Sequence, residues 1–165
     1  TGESLFGLEE GFRPFIENRA VDMIHPDPLT SGALHETKRI ADYASMFGIP
    51  TAVHFAGSPV GCMASVHMIA TIKDFVAMEN HAVDIPWWDD LVTGVPKPIV
   101  NQGYITVPDT PGLGVELNEE VCKQHLRVPG WFEPTPQFDR YIVNEFRRGG
   151  PCPHLDAEGK PVVSN

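Results

Sequence analysis

Long apolar runs are missing from this chain. None approaches the roughly 18 to 20 residues that a membrane span requires, and no charged stretch leads into an apolar one as in a signal peptide. Neither a membrane partner nor a targeting segment is therefore expected. Basic residues are also scarce: twelve Lys and Arg face twenty-two Asp and Glu, for a formal charge of −10. That balance, with the cations scattered, argues against a nucleic-acid partner. It leaves an anionic small molecule open, because a bound metal can reverse the local field. Cysteine is limited to Cys62, Cys122 and Cys152, with no CxxC pair. A disulfide framework and a structural zinc site are both unsupported, and a reducing, cytoplasmic setting fits. An initiator methionine is lacking too. The opening Thr1-Gly2-Glu3-Ser4 reads as the interior of a longer protein.

What the chain does have is a rhythm. The run Thr51-Ala-Val-His54 is short, β-prone and ends on an ionisable side chain. Val21 to His25 ends in Pro26-Asp27, and Phe75 to Met78 ends in Glu79. Glu3, Asp27, His54 and Glu79 thus follow one another at intervals of 24, 27 and 25 residues. Between the runs lie helical patterns. Glu9 to Arg19 places Phe12, Phe15 and Ile16 at amphipathic spacing, with Pro14 favouring a start later than Glu9. Gly32 opens a second helix with Leu34, Ile40, Ala41, Ala44 and Phe47 as its stripe. Gly48 and Pro50 stop it. Gly57-Ser58-Pro59 caps a third helix, Val60 to Ile72, apolar on all sides.

Strands alternating with helices at this interval predict βα units and a parallel sheet. Chemistry in such folds gathers at the carboxyl ends of the strands, where all four ionisable groups would stand. Beyond Glu79 the texture changes to a Pro-interrupted loop through Pro98. A candidate strand at Tyr104–Val107 and a short helix from Asn118 to about Leu126 follow, then an irregular tail over 127–165.

The stretches Thr-Gly-Glu3, Asp-Met-Ile-His-Pro-Asp27 with Gly32 following, Thr-Ala-Val-His54 and Ala-Met-Glu79-Asn resemble the mandelate racemase and acid-sugar dehydratase branch of the enolase superfamily. Gly103 to Leu117 is similar to that family's return from the barrel to its capping domain. The resemblance implies an α/β chain, the carboxyl-terminal part of a TIM-like (β/α)7β barrel. Residues 1–100 would carry the last βα units, 101–126 the return segment and 127–165 the tail. It further implies Glu3 as the third carboxylate ligand of a catalytic Mg2+, His54 as acid/base and Asp27 as its hydrogen-bonding partner. Glu79 would face the substrate carboxylate and hydrogen-bond the developing enediolate. A hard cation wants oxygen ligands, and a carboxylate behind an imidazole fixes its tautomer. The implied reaction is dehydration of an aldonate or aldarate to a 2-keto-3-deoxy acid, with a sugar acid and further copies of the chain as expected partners. Two metal carboxylates and a lysine-bearing strand would lie upstream of Thr1.

Plainer readings stand beside these. Asp27 alone could be a turn former. His25 could line the barrel wall or touch substrate, and His81 could touch substrate. His67, on the apolar helix, reads as packing. Trp87 and Trp88 read as packing rather than as a lid. Racemisation or cycloisomerisation through the same enediolate, a non-catalytic assembly piece, and a zinc hydrolase using His25, His54 and His81 are the rival functions.

Overall fold

The computed structural model describes residues 1–82, 84–126, 154–155 and 161–162. They fall in two compact units, Thr1–Asn118 and Glu119–Asn165. The first contains the whole strand-and-helix rhythm.

Its frame is a parallel alignment of four backbone segments. Strand β1 (Thr51–Val53) pairs in parallel with β2 (Phe75–Met78), and helix α3 (Pro59–Ile69) forms the crossover between them. On the other side of β1, Ile24 N–H donates to Pro50 O, Ala52 N–H to Ile24 O and His54 N–H to Pro26 O. Beyond that segment, His25 N–H donates to Thr1 O and the Thr1 amino group to Met23 O. The order across the sheet is therefore the Thr1 segment, the Ile24 segment, β1 and β2. This is the α/β arrangement expected from the spacing.

One expected strand is not a strand. Val21–His25 reduces to a single bridge, Ile24 to Thr51, and Ile24 alone in that run is buried. Pro26, Pro28 and the facing Pro50 have no N–H to donate, so the ladder cannot propagate. Tyr104–Val107 likewise contributes only a bridge from Tyr104 to Asn101, and Tyr104 is exposed. Two short strands instead close this part: β3 (Val92–Thr93) pairs antiparallel with β4 (Glu116–Leu117).

The first helical segment begins with a π turn, Leu8–Phe12, and continues as α1 (Arg13–Glu17), with Pro14 in its first turn. Leu8, Phe12 and Ile16 are buried, whereas Phe15, expected beside them, faces outward. Helix α2 (Ala33–Met46) buries Thr37, Ile40, Ala41 and Ala44, with Leu34 and Phe47 half-buried. It ends in a Schellman motif. Ile49 N–H reaches Ala44 O, Gly48 N–H reaches Ser45 O, and Gly48 has φ +71°, a conformation open to glycine without strain. These helices and Ile24 enclose one apolar cluster with Ile49. Glu36 ties α2 to the π turn by accepting the Leu8 N–H at 2.8 Å. That bond, aided by Arg39, holds its carboxyl below the usual range despite partial desolvation.

Helix α3 starts at Pro59, one residue before expectation, because Ser58 caps it by accepting from Gly61 N–H. It ends at Ile69, three residues early. Its buried residues join Phe55, Trp88, Val92 and Ile99 in a second cluster. Burial pushes the Cys62 thiol in this cluster up to about 12, with Asp89 adding to the effect. Each large side chain buried in these clusters contributes on the order of 1.5–3 kcal/mol.

In the second unit, α4 (Glu119–Gln124) follows directly on Asn118, shorter than the helix to Leu126 expected there. The pieces β5 (His154–Leu155) and β6 (Pro161–Val162) pair antiparallel. The remainder of the expected irregular tail lies outside the described residues. No described helix is long and apolar enough to cross a membrane.

Candidate active site

Parallel pairing sets where each segment stops. Glu79 N–H donates to Val53 O and His54 N–H to Pro26 O, so Asp27, His54 and Glu79 leave the sheet at one edge. Thr1, paired with Met23 and His25, delivers Glu3 to the same edge. Gly2 makes that delivery possible. Its φ is +131°, and a Cβ there would lie 2.3 Å from Phe12 Cε1, inside the buried ring.

The centre of the group is His54. Its Nδ1 lies 2.8 Å from Asp27 Oδ2. Asp27 is itself fixed: Oδ1 accepts the Leu29 N–H at 2.7 Å, its N–H donates to Ser31 Oγ, and its carbonyl accepts from Thr30 and Ser31 N–H. With only 7% of its side chain exposed, it is locked in an Asx turn. When Asp27 accepts from Nδ1–H, a neutral His54 ring carries its lone pair on Nε2.

That nitrogen points at carboxylates. Glu3 Oε2 lies 3.4 Å away and Glu79 Oε2 3.6 Å away. The same Glu79 oxygen lies 3.4 Å from His25 Nε2 and 3.5 Å from His81 Nε2. Three imidazoles therefore ring one carboxylate oxygen. These separations are longer than good hydrogen bonds and leave room for an atom between the groups. All six residues singled out from the sequence meet here. His67 does not: it packs on α3 with Nε2 3.2 Å from Leu113 O.

Several supporting residues carried no signal of their own in the sequence. Ser31 is fully buried behind Asp27. Thr30 Oγ1 donates to Glu3 O at 3.2 Å. Asn80 Oδ1 accepts the Ala82 N–H across His81. A Ser or Thr three or four residues after a turn Asp is the pattern that could have found the first two. Trp88 is buried as packing, edge-on to Phe55, and donates to Gly57 O at 2.8 Å to hold the loop after His54.

Residues 1–121 match the family described as enolase C-terminal domain-like. The chain belongs to that family. The D-xylonate dehydratase of Haloferax volcanii is 39% identical over 125 residues, 76% of this chain and 30% of that protein. A mandelate racemase/muconate lactonizing enzyme-like protein of Rubrobacter xylanophilus superposes with TM-score 0.74 at 40% identity, over 78% of this chain and 32% of that one. An enolase from Pantoea ananatis, solved with bound D-gluconate and Mg, superposes with TM-score 0.66 at 30% identity, over 78% and 31%. The chain thus spans under a third of these enolase-superfamily relatives.

The donor chemistry can be tested against magnesium. Glu3 offers an exposed carboxylate, 58% accessible, of the hard-oxygen type the ion prefers. The other near donors are mostly imidazoles, which it does not. Glu3 therefore fits as one magnesium ligand of a set whose remaining oxygens are not supplied by His25, His54 or His81.

Proposed function

We propose that this chain supplies the last strands of a (β/α)7β barrel and half of the active site of a magnesium-dependent sugar-acid dehydratase. The substrate would be an aldonate or aldarate and the product a 2-keto-3-deoxy acid. Residues 101–126 would form the return toward a capping domain. The observation that carries the reading is the Asp27–His54 hydrogen bond at the strand ends, with Nε2 facing Glu3 and Glu79. The kinship with dehydratases of sugar acids supplies the substrate class.

In this reading Glu3 is a magnesium ligand, and the bound ion's chemistry is to withdraw charge from the substrate carboxylate so that the α-proton can leave. His54 Nε2 handles a proton. Neutral, it accepts the α-proton; as imidazolium, it donates to the departing β-hydroxyl, which leaves as water. Asp27 keeps the proton of Nδ1 in place and stabilises the ring when it becomes charged. Glu79 stands where it can hydrogen-bond the oxygen on which negative charge develops. Loss of the β-hydroxyl gives an enol, which tautomerises to the 2-keto acid.

The test uses a full-length protein carrying this chain, incubated with Mg2+ and a panel of aldonates and aldarates. Release of 2-keto-3-deoxy acid is expected, with turnover falling about 10²–10⁴-fold in His54→Asn. Exchange of the α-proton with solvent deuterium, without keto acid, would replace dehydration by racemisation. Undiminished turnover in His54→Asn would remove His54 from the chemistry.

A further inference from the structure

We infer that His54, Glu79 and His81 form a second metal site, one for a borderline divalent ion such as Zn2+, distinct in chemistry from the oxygen site that Glu3 serves. One ligand atom from each of the three residues lies within 4.8 Å of the other two. The closest spacings are 3.6 Å from His54 Nε2 to Glu79 Oε2 and 3.5 Å from His81 Nε2 to the same oxygen. Ligand bonds of about 2.0–2.1 Å in a tetrahedron place neighbouring donors roughly 3.3 Å apart. Both pairs reach that spacing by contracting a few tenths of an ångström. Two imidazoles and one carboxylate suit zinc, cobalt or nickel and disfavour magnesium.

A second observation points the same way. A histidine that ligates a metal through one nitrogen almost always donates its other N–H to a carboxylate or carbonyl. His54 has that arrangement: Asp27 accepts at Nδ1, at 2.8 Å, and Nε2 faces the cluster with its lone pair. Asp27 is buried and fixed by Leu29 and Ser31, so the ligand is oriented before any ion arrives. Glu79 and His81 are exposed, 42% and 57% of their side chains, and can swing the short distance needed.

The consequence is antagonism. A zinc ion on Nε2 occupies the nitrogen that would otherwise take or give a proton, so the site inhibits any chemistry that uses His54. The inference does not depend on dehydration: binding is measured without turnover, so either reading can fail alone.

A full-length protein carrying this chain is titrated with Co2+ in excess Mg2+, followed by its visible d–d absorption, and then competed with Zn2+. One saturable site is expected, displaced stoichiometrically by Zn2+ and retained in excess Mg2+. Affinity should fall about 10–100-fold in His81→Ala, and by a similar factor in Asp27→Asn, which presents a hydrogen-bond donor to Nδ1 and reverses the tautomer. His35→Ala, on the exposed face of α2, should leave affinity unchanged. His81 is exposed, so its variant tests ligation without disturbing the core. Absence of a saturable site, equal affinity in His81→Ala, or displacement of Co2+ by Mg2+ would each overturn the assignment.

Discussion

Asp27 and Glu79 both lie against His54, one with 7% and the other with 42% of its side chain in solvent. Asp27 hydrogen-bonds through both carboxylate oxygens and both backbone groups. Glu79 meets its three imidazoles only at 3.4–3.6 Å. The fixed side has a single geometry, set before a ligand binds. The loose side can close around whatever enters. A buried carboxylate–imidazole pair pre-pays the ordering of a proton-transfer group, while ligands with exposed side chains keep their adaptability. Glu3 and His81 belong with Glu79 on the loose side.

The largest effect should come from breaking the fixed pair without unfolding it. In a full-length enzyme, Asp27→Asn should lower kcat about 10²–10⁴-fold with little change in Tm, read by steady-state kinetics and a thermal melt. The amide keeps an acceptor for Leu29 N–H, so a large loss of Tm instead would show Asp27 to be structural first.

Next is the joint between the loose side and the core. Gly2→Ala would drive a methyl into the Phe12 ring at a backbone angle that alanine resists. A loss of about 1–3 kcal/mol in urea unfolding is expected. An unchanged midpoint would mean that the Glu3 segment rides free of the first apolar cluster.

A smaller effect is expected at Glu36, which anchors the turn that follows the Glu3 segment. Glu36→Gln should cost about 1 kcal/mol, with a pH signature. The folded carboxyl titrates below its unfolded value. Its stabilisation is therefore complete above the ordinary glutamate pKa of about 4.3 and disappears as pH falls through the lower folded value. The difference between wild type and variant, followed by melts from pH 7 downward, should shrink across that acid window. The smallest effect belongs to Glu79→Gln, whose folding stability should stay within about 0.5 kcal/mol of the parent. A larger loss would mean that the imidazole ring is a structural device and the contrast with Asp27 is false.

Much of this was legible in the sequence, for specific reasons. The positions of Glu3, Asp27, His54 and Glu79 follow from a repeat interval, and an interval survives local irregularity. Helix α2 carried its own stop at Gly48 and Pro50, and α3 its own cap at Ser58. The errors sit where the fold departs from the side-chain pattern. Phe15 was misplaced because Phe12 and Ile16 already face the cluster at i, i+4, and the i+3 position falls at the rim of so short a helix. Val21–His25 has strand-like side chains but prolines where its ladder needs donors. The short β3–β4 pair was missed because two residues carry no period. Around His54, the turn formed by Asp27, Thr30 and Ser31 is polar and local, so it left no hydrophobic trace.

Strand β2 carries one more implication. Among the described residues it hydrogen-bonds to β1 alone, and Phe75 and Val76 stand 39% and 52% exposed along it. In the proposed closed barrel the open side of this short apolar run is filled by an upstream strand; in this chain handled apart from those strands it is a template on which another chain can add one, the first step toward aggregation. Lys73 and Asp74 precede it and Glu79 closes it, charges that flank such runs as gatekeepers. In a concentrated sample of this chain without its upstream strands, neutralising Glu79 would remove one of the guards on that edge, with turbidity as the first visible consequence.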